Sequence, residues 1–132
     1  MKYKITERVV QLVQDLYAAG YEGEAALTNN YYCTGTAEFF GEMFSIQLTG
    51  FCKESLHIAE NTDTGCITCI GRYSLELEKS EVTVPDVVQV AWDIYKSYKD
   101  SGYSMPYEFK EMFVRAGYIK EKKVTKTVWE EQ

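Results

Sequence analysis

The sequence predicts an α+β fold: an antiparallel sheet of three to five strands, with an N-terminal helix and two C-terminal helices packed on it. Three observations carry that expectation. Apolar residues recur at helical spacing near the start and again after residue 83. Between these stretches the chain alternates with period two, punctuated by Gly- and Asn-containing turns. The helical and strand patterns do not interleave, and such an order places helices against one sheet instead of building parallel crossovers. With 132 residues and no repeat, linker or low-complexity stretch, residues 1–132 read as one domain.

The first helix is expected over residues 6–19. Thr6 supplies an N-cap hydroxyl, Val9, Leu12, Val13, Leu16 and Tyr17 form one stripe, and Gly20 ends the run. Residues 20–30, rich in Gly, Glu and Asn, read as a loop. From Tyr31 to Lys79 the pattern is that of strands. Residues 43–49 alternate, with Phe44, Ile46 and Leu48 on one face. Residues 56–58 and 66–70 follow, separated by Asn61-Thr62-Asp63-Thr64-Gly65, a strong turn signal. His57 is expected to point away from Leu56 and Ile58. Residues 73–78 alternate with Glu76 and Glu78 outward.

Thr83-Val84-Pro85-Asp86 then combines a cap residue, a first-turn proline and an acid, the grammar of a helix start. Val87, Ala91, Ile94 and Tyr98 make its stripe, widened by Val88, Trp92 and Tyr95. Lys96 and Lys99 complement the dipole at its end. Ser101-Gly102 breaks the helix, and another follows over residues 105–116 with Phe109, Met112, Phe113 and Ala116 inward. A final strand is expected over residues 124–129, among Lys120, Lys122, Lys123 and Lys126.

Charge is distributed unevenly. Twenty acids against fourteen bases give −6, but residues 9–71 hold one base, Lys53, against eight acids, a net −7. The acids are Asp15, Glu22, Glu24, Glu38, Glu42, Glu54, Glu60 and Asp63. Coulomb repulsion sets this half against direct nucleic-acid binding and against anionic membranes. It favours a partner with a basic surface. No apolar run approaches the ~18 residues of a membrane-spanning helix, and no apolar stretch follows Met1 as in a secretory signal. A cytoplasmic location is the expectation.

Few constellations point to chemistry. Cys66-Ile67-Thr68-Cys69 is a C-x-x-C, and Cys33, Cys52 and His57 precede it. Cys52, His57, Cys66 and Cys69 are the strongest ligand set on offer, giving a small metal- or ligand-binding domain or an enzyme as the alternative reading. Zinc, however, usually takes two paired knuckles, and here there is one. Ile67 and Ile70 make the segment read as a buried strand in which cysteine acts as a small hydrophobe. A redox pair needs a strand-to-helix turn, which is missing. His57 is the sole histidine, and nothing local brings Cys52 to it as a nucleophile–base dyad. Phosphate-cradling glycine loops and the nucleophile elbow are absent. No catalytic residue, cofactor or metal is expected.

A second alternative is a DNA-binding regulator, because residues 84–116 have the outline of a helix-turn-helix. The exposed residues of its second helix, Glu108, Lys110, Glu111 and Arg115, are neutral overall, whereas a DNA reader presents a basic footprint. The aromatic content favours a different surface. There are eleven Tyr and six Phe, and adjacent pairs such as Tyr31-Tyr32 and Phe39-Phe40 face opposite ways in a strand. Not all of them fit one core, Tyr3, Tyr21, Tyr103 and Tyr107 included. Tyr couples large area to a polar tip and is enriched at interfaces.

Joined to the acidic half, these residues predict a partner-binding region of Glu22, Glu24, Tyr31, Tyr32, Glu38 and Glu42. A homodimer would hide the same aromatics. In size and composition the chain resembles small acidic inhibitors encoded by phages, such as anti-CRISPR and anti-restriction proteins. That resemblance implies a non-enzymatic inhibitor whose carboxylates occupy a site made for nucleic-acid phosphates.

Overall fold

The computed structural model describes residues 3–28, 45–51, 54–71, 75–102 and 104–120. Tyr31, Tyr32, Glu38, Glu42, Cys33, Cys52 and the strand expected at residues 124–129 lie outside the described residues. The elements run β1 (Tyr3–Lys4), α1 (Glu7–Ala18), β2 (Ala25–Thr28), β3 (Ser45–Phe51), β4 (Glu54–Asn61), β5 (Cys66–Ile70), β6 (Leu75–Lys79), α2 (Val84–Lys99) and α3 (Tyr107–Arg115). Strand order is β2-β3-β4-β5-β6, antiparallel throughout, with the two-residue β1 pairing β4. The predicted α+β arrangement is the one observed, with one short strand more than the expected maximum.

Strand pairing puts Ile46, Ile58, Cys69 and Leu77 in one row across the sheet, and Leu48 opposite Leu56. These residues, with Ile67, form a single hydrophobic cluster with all three helices. From α1 come Val9, Leu12, Val13 and Leu16, and from α2 Val87, Val88, Val90, Ala91 and Ile94. Phe109, Met112 and Phe113 of α3 complete it. A buried aliphatic or aromatic side chain of this kind stabilises the fold by about 1.5–3 kcal/mol, which explains why the helical stripes are readable in the sequence.

The caps are local. Asp86 accepts from the Thr83 backbone amide at 2.8 Å and from its hydroxyl at 3.0 Å, which stops α2 from fraying. The bond from the Thr83 amide is the main reason the Asp86 carboxyl titrates below its ordinary range. At the β4–β5 turn, Asn61 Oδ1 accepts from the Asp63 amide at 2.9 Å and Gly65 takes φ +75°. One extra residue on β6, Glu76, separates the Cys69–Leu77 and Ile70–Leu75 pairs, a bulge that ends the regular ladder.

Three expectations need correcting. Residues 20–30 are not all loop: Ala25–Thr28 pair with Leu48–Ser45 as β2. Ala-Ala-Leu-Thr has no alternation of its own, so the neighbour's ladder makes it a strand. Tyr17 is not inward but 43% exposed, because its hydroxyl donates to the Gly23 carbonyl at 3.2 Å and accepts from the Ala25 amide at 3.0 Å. Ala116 is exposed as well, standing at the C-cap of α3 beyond the packed turn.

Candidate functional site

The α1–β2 turn runs alongside α3 in the opposite direction. Ala18 accepts from Arg115 Nη1 at 3.2 Å, Gly20 stands against Glu111, and the Glu22 amide donates to the Glu108 carbonyl at 2.9 Å. Two glycines permit this approach. A Cβ at Gly20 would lie 2.9 Å from Glu111 Cγ, at φ +116°, and one at Gly23 would lie 2.9 Å from Glu108 Cβ and 2.5 Å from the Tyr21 hydroxyl. Tyr21 anchors the turn from beneath, its ring tilted against that of Phe109 with centroids 4.8 Å apart. Its hydroxyl donates to the Glu24 carbonyl at 2.9 Å and accepts from the Thr49 amide at 3.0 Å. Burial raises the Tyr21 pKa above its usual value, against the lowering effect of the Thr49 bonds.

What this turn presents is acidic and aromatic. Glu22 and Glu24 are exposed, with the half-exposed ring of Tyr17 beside them. Across the seam stand Glu108 and, next to it in the chain, Tyr107, which is 69% exposed. Of the sequence-predicted binding residues, Glu22 and Glu24 therefore share a surface. Tyr17, Tyr107 and Glu108 join them there and were not among the expected site residues. Tyr17 lay hidden at the edge of an apolar stripe. Glu108 and Tyr107 are about eighty-five residues away in the chain, and the packing of the turn on α3, the Glu22–Glu108 bond included, brings them close.

Arg115 adds little positive charge, since its Nε donates to Glu111 at 2.8 Å. Beyond it the ends of three helices enclose a cleft of about 350 Å³, lined by Ala19, Val84, Pro85, Val88, Met112, Arg115, Ala116 and Tyr118.

The sheet separates Cys69, on its helix side, from Cys66 and His57 on the other. Cys66 and Cys69 fall on opposite faces of β5, about 10 Å apart at strand rise, so they do not converge on one ion. Cys69 is fully buried among the helix-facing residues. Among the described residues, no group of three or more His, Cys, Asp or Glu side chains is placed to hold a metal. His57 points away from Leu56 and Ile58, as expected, and shares a buried hydrogen bond of 3.2 Å between Ser45 Oγ and its Nδ1. Serine and histidine have the composition of a nucleophile and base. Here both are closed to solvent, 0% and 3% exposed, and burial pulls the imidazole pKa down to about 4. A base needs access and a pKa near the working pH.

The two helices of the helix-turn-helix outline are present as α2 and α3. A recognition helix reads DNA from its N-terminal residues, and the start of α3 carries Glu108 with Glu22 packed against it. Carboxylates there repel phosphate. Among the described residues, no helix is long and apolar enough to cross a membrane. No known protein family, curated protein or solved structure matches this chain.

Proposed function

We propose that this chain is a non-enzymatic protein-binding module whose acidic, tyrosine-bearing face docks on a basic site of a partner protein. The supporting observation is the surface built by the α1–β2 turn and α3. Glu22, Glu24 and Glu108 project there around the exposed rings of Tyr17 and Tyr107. Aromatic rings supply desolvated anchor area, while carboxylates steer a basic surface into register and raise the association rate. Where the partner's basic site serves nucleic-acid phosphates, occupancy by these carboxylates is competitive inhibition, the mode used by small acidic inhibitors that phages encode.

The test is capture of partners by tagged protein from nuclease-treated bacterial lysate, at low and then high salt, beside a variant carrying Glu22→Lys and Glu24→Lys. One near-stoichiometric partner is expected, released by salt and weakened at least about tenfold by the double reversal. Extending the reversal to Glu38→Lys and Glu42→Lys is expected to weaken it further. Binding that ignores both salt and charge reversal overturns the electrostatic reading. No partner, together with a mass that doubles with concentration, replaces it with a homodimer.

A further inference from the structure

We propose that the cleft at the meeting of the three helix ends is the second half of this docking face, and that it seats one bulky apolar side chain of a basic partner segment. The inference rests on the docking reading above and goes beyond it by assigning the partner a sequence pattern.

Six of the eight lining residues, Ala19, Val84, Pro85, Val88, Met112 and Ala116, offer hydrocarbon or thioether surface. The one charged group among the described lining residues, Arg115, is turned to Glu111 and to the Ala18 carbonyl, so it bounds the cleft without demanding an anion inside it. Water in such a place finds few partners, and an apolar group that displaces it gains. A volume of about 350 Å³ sits at the small end of ligand pockets, which run from about 300 to 1,000 Å³. That is ample room for one bulky anchor side chain, and interface energy concentrates in such anchors.

Charge complementarity commits the occupant. Glu108, Glu111 and Arg115 follow one face of α3 at spacings of three and four residues. The acidic patch and the cleft are therefore the two ends of one strip, separated by seven residues of helix, or about 10 Å. A basic residue held at Glu22, Glu24 and Glu108 places its chain neighbours along that strip. An extended partner covers the distance in about three residues, at about 3.3 Å each. The occupant is accordingly a partner segment with Lys or Arg and, about three residues away, a Phe, Leu or Met.

Three fluorescent peptides test this by anisotropy against the full chain. The first carries an arginine cluster and a phenylalanine three residues beyond it. The second has serine for the phenylalanine, and the third has glutamine for the arginines. The first is expected to bind at least about tenfold more tightly than either of the others. Ala116→Trp, which fills the cleft from an exposed C-cap position, removes the advantage of the first over the second. Ala116→Glu, which places a charge at the mouth, does the same if the bulky ring disturbs folding. Equal binding of the first and second peptides, or a difference that survives both variants, overturns the cleft assignment and leaves the acidic face standing. Equal binding of the first and third removes the basic half of the pattern. If none of the peptides binds even at low salt, the docking reading falls together with the cleft.

Discussion

On the helix side of the sheet, Ile46, Leu48, Leu56, Ile58, Ile67 and Cys69 meet three amphipathic helices in one hydrocarbon-rich contact, with Glu60 at its margin beside Ile67, accepting from the Thr6 hydroxyl at 2.8 Å. On the other side, Ser45, His57, Asn61 and Thr68 stand just as deep, with Ala59 and Ile70 between them. Hydrogen bonds run across this second surface. Ser45 meets His57 at 3.2 Å, Thr68 Oγ1 donates to the Ala59 carbonyl at 3.1 Å, and Asn61 Nδ2 donates to Glu78 at 3.1 Å. The two faces share depth and differ in what depth costs. Hydrocarbon gains roughly in proportion to the area removed from water. A buried polar atom is tolerable only while its partner stays in place. The first face should therefore respond to lost volume, and the second to lost geometry or to an added proton.

The largest effect belongs to the first face. Ile58 is fully buried in the row Ile46–Ile58–Cys69, so Ile58→Ala removes packed volume that neither helix nor sheet can collapse to refill. A loss of about 2–5 kcal/mol is expected in urea denaturation. A loss below about 1 kcal/mol would mean that this face is loosely packed and that the contrast between the surfaces is false.

That contrast was half legible in the sequence. Alternation around Leu56-His57-Ile58 shows that the imidazole leaves the apolar face, because side chains in a strand must alternate. Alternation does not say whether the second surface is wet, since that depends on residues distant in the chain. The helices were readable almost to the residue, as their stripes and the Thr83/Asp86 cap are local signals. Strand β2 was not, because Ala25–Thr28 is extended only through pairing with β3. The candidate binding face divides in the same way. Glu22 and Glu24 stood out through the charge asymmetry, whereas Tyr17, Tyr107 and Glu108 join them through a bond of 2.9 Å between backbone atoms remote in sequence.

The next effect is a proton on the second face. His57 titrates near 4 in the folded chain because burial disfavours the imidazolium, against about 6.5 when unfolded. Above pH 6.5 the ring is neutral in both states and folding pays nothing for it. As pH falls from 6.5 towards 4, the unfolded chain takes up the proton first, so stability drops across that window and levels off below it. The span corresponds to about 3 kcal/mol by the acid end. Denaturation at pH 7 and at pH 4.5 should show His57→Asn losing about 2–3 kcal/mol less than the unchanged chain between the two conditions. Equal losses would place the acid sensitivity in the carboxylates and reduce the second face to ordinary packing.

The smallest effect refines the comparison furthest. Thr68 is fully buried, and its hydroxyl donates to a carbonyl on the neighbouring strand while its methyl group contributes to packing. Thr68→Val keeps the branched shape and the β propensity and deletes only the donor. The Ala59 carbonyl keeps its second lone pair and its place in the sheet. A change of about 1 kcal/mol or less is therefore expected in the same urea measurement. If instead Thr68→Val costs as much as Ile58→Ala, the hydroxyl supports more than the Ala59 carbonyl. The hydrogen bonds of the second face then act as one cooperative network, in which a lost partner is felt beyond its own pair.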